Sequence, residues 1–220
     1  MPKVKIPRKS TVIDMTAMCD VAFLLLSFFI LATKQKPPEA VSVMAPSSVS
    51  NKVAKEEAIL VTLTKDGKIF LMLGDKTHKD KILEDINRTK ALGLSDAEVA
   101  KLRKVDFIGL PFNQLKSYLN MSSPMAADKM PGIPIADSTN NELVDWLRSI
   151  SNVYAAEGIT QRDLEEKVVI KGDNLAKYPA FKNIKYALKK NSILKFKIAT
   201  NSETVPRDSE LYLQQQQDKK

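Results

Sequence analysis

The sequence predicts an α+β fold: a single N-terminal transmembrane helix, then a small α/β sandwich-like domain with a helical insertion. Three observations predict it. From Ala17 to Ala32 the chain reads AMCDVAFLLLSFFILA, where only Asp20 and Ser27 are polar. Residues 58–73 read AILVTLT-KDG-KIFLML, two apolar runs around an Asp66-Gly67 pair. Near the other end, KVVIK (Lys167–Lys171) and ILKFKIA (193–199) flank a helix-patterned segment opened by Tyr178-Pro179.

The averages hide this division. The chain has 220 residues, 44% of them hydrophobic and 27% charged, with a mean hydropathy of -0.20. Such values suit an ordinary soluble protein and argue against a polytopic membrane protein or a fully disordered chain. One cysteine, Cys19, excludes an internal disulfide framework, and one histidine, His78, leaves little room for a zinc site or a Ser-His-Asp triad. No metal or other cofactor is expected. The net charge is +8, half of it within residues 1–36, and the remainder reads as spread thinly over a nearly balanced domain. No zinc finger, RNP-type aromatic motif or basic heptad helix accompanies it, so nucleic acid is not an expected partner.

Counting from Ile13, the apolar run is about 20 residues, or roughly 30 Å of helix, enough to cross a bilayer core. A span over 13–33 follows a basic tail at 1–12. The four positive charges before Ile13 place the N-terminus in the cytoplasm, against a smaller pair, Lys34 and Lys36, beyond the run. A cleaved signal peptide is the alternative, but LATKQK offers no small-x-small junction. A buried core helix of this length would not be expected to exit into a polar, proline-rich segment.

Asp20 is the most informative residue. A carboxylate inside a membrane helix costs about 2.5–3.5 kcal/mol on insertion scales, and such residues face bundle interiors or ion paths. Thr16, Asp20 and Ser27 are spaced by 4 and 7 residues. At about 100° per residue they share one stripe roughly 40° wide. Lipid cannot satisfy that stripe, so it should face partner helices. The alternative places Asp20 at the cytoplasmic interface, snorkelling to water.

Residues 34–57 read as a linker: Pro37-Pro38 stops the helix, and AVSV is a candidate short strand. The run at 58–73 reads as a β-hairpin, since Asp-Gly suits a tight turn between alternating strands. Ser95-x-x-Glu98 is a capping box for a helix to about Lys104, and Thr139-x-x-Glu142 is a second, before a helix with Leu143, Trp146, Leu147, Ile150 and Val153 on one face. Thr160-x-x-Asp163 marks a further start, residues 121–137 a loop, and His78, beside Lys76 and Lys79, a solvated turn. Trp146 reads as core. At the end, strand, helix and strand imply a crossover in a small sheet. The folded domain is expected over 58–205, with an insertion at about 79–160, and 206–220 as a disordered tail.

The stretch from Ile13, IDMTAMCDVAFLLLSFFIL, resembles the transmembrane motif of the ExbD/TolR biopolymer-transport family. Asp20 falls on that family's single membrane aspartate, and Ile13, Thr16, Val21, Leu25, Leu26 and Phe29 also match. Ala17 stands where the family usually has proline, and Asp14 where asparagine is common. The D-G hairpin, the V-V-I-x-x-D segment at Val168–Asp173, the tyrosine-started helix and the closing strand resemble the family's periplasmic domain. Residues 79–160 exceed the family's usual connection.

The resemblance implies an ExbD-like, proton-driven subunit of a bacterial inner membrane, with its C-terminal domain in the periplasm and no enzymatic chemistry. Asp20 is then the proton carrier, with Thr16 and Ser27 as its supporting stripe. It also implies partners: an ExbB-like pentamer enclosing the helices of two copies of this chain, a homodimer of the periplasmic domains, a TonB-like protein and the lipid bilayer. A TolR-like role, or a membrane-anchored adaptor that binds cell wall without using protons, is the alternative. An enzyme is the third, with no nucleophile–base pair or phosphate loop to support it.

Overall fold

The structure, a computed structural model, describes residues 15–32, 41–48, 57–121, 125–136 and 140–202. The expected tails at 1–12 and 206–220, and the Thr139 half of the second capping box, lie outside them. The chain divides into two units, residues 1–37 and 38–220.

The first unit contains α1, Met15–Ala32. It buries none of its residues. Its one charged side chain is Asp20, and its mean hydropathy of 2.2 qualifies it by length and composition as a membrane span.

The second unit is a mixed α/β domain. In chain order it contains β1 (Ser47–Ser48), β2 (Ile59–Leu63), β3 (Ile69–Leu73), α2 (Lys76–Lys90), α3 (Asp96–Lys104), α4 (Phe112–Leu119), α5 (Glu142–Ala156), α6 (Gln161–Lys167), β4 (Val168–Gly172), α7 (Tyr178–Lys190), β5 (Lys197–Ile198) and β6 (Asn201–Ser202). One sheet has the order β3-β2-β4-β5: β3 is antiparallel to β2, and β4 is parallel to both β2 and β5. The parallel pairs require crossovers, which α7 supplies between β4 and β5.

The hairpin forms as read, with Gly67 at φ 81°. That angle suits a residue without Cβ. The Lys68 amide donates to Thr64 Oγ1 at 3.1 Å, and the Gly67 amide to the Thr64 carbonyl at 3.0 Å.

The closing strand is much shorter than its alternation suggested. Only Lys197–Ile198 pairs with β4, and Leu194 is exposed. The upstream short strand is Ser47–Ser48 rather than AVSV, and it runs parallel to β6. Val43 and Ala45 just before it are buried. Asp173 fixes this segment, its Oδ2 accepting from the Met44 amide at 3.2 Å and its Oδ1 from the Leu175 amide at 2.9 Å.

The long connection between β3 and β4 is core, not appendage. Leu143, Trp146, Leu147 and Ile150 of α5 are fully buried, with Ile82, Leu83 and Ile86 of α2 and Ile184 and Leu188 of α7 in the same cluster. The connection also covers the outer edge of β3. Leu71 and Ile108 exchange backbone hydrogen bonds at 2.8 and 2.7 Å, and the Ile133 amide donates to the Ile69 carbonyl at 2.9 Å. An uncovered edge would invite unwanted pairing. Two glycines allow this approach. A Cβ on Gly109 would meet the Phe70 ring, and one on Gly132 (φ 88°) would lie 2.9 Å from the Ile69 backbone nitrogen.

The Ser95–Glu98 capping box and the Thr160 cap form as the spacing implies. Of the second box only the Glu142 half is described, and it stands at the first position of α5. Asn141 is the N-cap of α5, and the Glu142 carboxylate accepts from the Phe112 amide at 2.8 Å, tying α4 to α5.

Candidate functional site

Thr16, Asp20 and Ser27 all lie on α1. One turn separates the first two, and Ser27 stands about two turns further on, returning to the same stripe. The 18 residues of α1 reach about 27 Å, close to a hydrocarbon core. The remaining faces carry Leu, Ile, Phe, Met and Val. Val21, Leu24, Leu25, Phe28 and Phe29 are more than half exposed. Such a helix is satisfied by lipid on its apolar faces, while its polar stripe calls for other protein helices or water. Asp20 is the one carboxylate on this helix. A carboxylate in a dry helix bundle loses its charge penalty when protonated and regains an electrostatic hold on a polar partner when it is not.

The second unit contains a buried ionic cluster that the sequence reading missed. His78, read as a solvated turn residue, lies inside α2 and is buried. Asp75 caps α2, its Oδ1 accepting from the Thr77 amide at 3.0 Å. Its Oδ2 faces His78 Nδ1, Lys167 Nζ at 3.3 Å and the Tyr154 hydroxyl at 3.4 Å. The other His78 nitrogen faces Glu157, which also binds Lys81. Lys167 also reaches Glu57 at 3.2 Å and stands 5.3 Å from the centre of the Tyr154 ring.

Burial pushes the Asp75 carboxyl up, but hydrogen bonds from His78 and Lys167 outweigh it and leave it below its ordinary value. A hydrogen bond from Lys81 likewise holds Glu157 down. Burial and then the Asp75 charge push the Tyr154 hydroxyl up, so it stays a donor. Each charge meets a partner, and the cluster joins the start of α2, the end of α5 and the end of α6. This is the chemistry of a staple. Two sequence signals pointed to it: Asp75 as an N-cap three residues before His78, and Ile82, Leu83 and Ile86 marking the buried face of α2. Among the described residues, no group of three or more His, Cys, Asp or Glu side chains is arranged to hold a metal ion.

The stripe on α1 therefore remains the candidate site. The family model for biopolymer transport protein ExbD/TolR matches residues 7–203. Comparison with curated proteins and with solved structures gave no match. The family match takes in α1, the hairpin, the long connection and the closing elements. By this match over nearly its whole length, the chain belongs to the ExbD/TolR family of biopolymer transport proteins.

Proposed function

We propose that the chain is an ExbD-like, proton-motive-force-driven subunit of a bacterial inner membrane. It works with an ExbB-like pentamer to energise TonB-dependent transport across the outer membrane. The observation that supports this best is a single carboxylate, Asp20, on the polar stripe of an otherwise apolar, unburied helix of membrane length. The N-terminus is cytoplasmic and the C-terminal domain periplasmic, by the excess of basic residues before α1.

In this reading the helices of two copies stand inside the pentamer. A proton entering the pore neutralises Asp20 and releases it from a polar ring of the partner. Loss of the proton to the other side restores the charge and the hold, completing one step. Each proton crossing 100 mV supplies about 2.3 kcal/mol. The periplasmic domains dimerise and pass the movement to a TonB-like protein.

Purification in mild detergent tests the assembly. Co-elution with a multi-span membrane protein at two copies of this chain to five is the expected result, and elution of this chain alone counts against the reading.

A further inference from the structure

The positive charge of the second unit is not spread thinly. Between Asn174 and Ser202 stand seven lysines and no acidic residue, while residues 37–220 as a whole have a net charge of only +4. The remainder of that unit is therefore net acidic, and one segment concentrates the opposite sign.

The fold turns this segment into a face. Ile184, Ala187 and Leu188 of α7 point into the core. Asparagines tie the helix down: Asn183 Nδ2 donates to the Ile135 carbonyl at 2.7 Å, and Asn191 Nδ2 to the Val144 carbonyl at 3.0 Å. The opposite stripe, spaced by three and four residues, holds Lys182, Lys185 and Lys189, all exposed. These lysines rim an open groove that also presents Tyr186, Leu194 and Phe196. Leu194 is 69% exposed and Tyr186 39%. Lysines around a protruding leucine and tyrosine suit an anionic, half-apolar interface: charges at phosphate level, with the apolar tips below them.

Chain length favours one occupant. Residues 33–40 separate the end of α1 from Val41, a reach of at most about 30 Å even when fully extended. A bilayer surface is thus always at high effective concentration for this domain, whichever side of the membrane it occupies. We propose that the α7 lysine face, with Leu194 and Tyr186, docks on anionic phospholipid headgroups of the membrane that the chain itself spans. The docked state holds the domain down, and release frees it to reach partners.

The test uses the full chain in nanodiscs, either zwitterionic or about one-third phosphatidylglycerol, pulsed with an amine-acylating reagent and read by mass spectrometry. Lys182, Lys185 and Lys189 are expected to react at least threefold more slowly in the anionic discs, normalised to exposed Lys104 of α3. About 0.5 M salt should abolish the protection, since it shortens the screening length to about 4 Å, roughly half its value at 0.15 M. Leu194→Glu should abolish it too, while leaving the thermal midpoint unchanged. Equal reactivity in the two discs overturns the proposal. So does protection that appears only when soluble cell-wall fragments are added, which assigns the face to a carboxylate polymer.

Discussion

The imidazole of His78 lies against the ring of Tyr154, with 4.6 Å between centroids and 27° between planes. This stack joins α2 to α5, and the charges around it decide what each partner contributes. Asp75 is the hub, since it caps α2 and also accepts from His78, Lys167 and Tyr154. Asp75→Ala removes the cap, worth about 1 kcal/mol, and takes one of two acidic partners from both the buried imidazole and the Lys167 ammonium group. The expected loss is about 3 kcal/mol, measured by urea unfolding of the purified protein. A loss below about 1 kcal/mol contradicts the hub role.

The same cluster sets an acid limit. Asp75 and Glu157 both lie below their ordinary values of 3.8 and 4.5. A depressed carboxyl contributes stability that is complete above its unfolded value and is lost as pH falls through its folded one. The thermal midpoint should therefore be level from pH 7 to about 5 and fall below about 4.5. In Asp75→Asn the midpoint should start lower and fall less steeply. Parallel curves for the two proteins contradict the assignment.

Gly109 marks where the long connection meets β3. A methyl group there runs into the Phe70 ring, which is itself fully buried and cannot swing away. Gly109→Ala should cost about 2 kcal/mol by overpacking. Gly109→Ala combined with Phe70→Leu should cost less than the sum of the single changes. Strict additivity, read from denaturant midpoints, would show that the two positions do not touch.

Trp146 tests whether the long connection is core. It is fully buried, with the Phe112 ring 5.4 Å away between centroids. Trp146→Ala should cost about 3–5 kcal/mol and broaden the unfolding transition of the whole domain. A cost near zero would make the connection an independent appendage.

The hairpin, the Ser95 and Thr160 caps, the Tyr178-Pro179 helix start and the buried face of α5 were legible because each is fixed by neighbours in sequence. What escaped depends on distant partners. His78 sits among lysines in the chain, and only folding brings Glu157 and Tyr154 against it. Glu142, read as half of a capping box, accepts from the Phe112 amide, a contact across 30 residues. Strand β5 starts late because the Glu165 carboxylate accepts from the amides of Leu194 and Lys195, at 2.7 and 3.1 Å, a contact across about 30 residues. The stripe of Thr16, Asp20 and Ser27 was fully readable, since helix geometry alone places those residues on one side.

Whether Asp20 carries the proton is tested most directly by Asp20→Asn in cells that depend on energised outer-membrane uptake. The amide keeps the size and polarity of the stripe but cannot exchange a proton at any physiological pH. The expected result is normal co-purification with the membrane partner and uptake reduced to background, with Asp20→Glu retaining a measurable fraction. Wild-type uptake by an assembled Asp20→Asn protein would contradict the proton-carrying role.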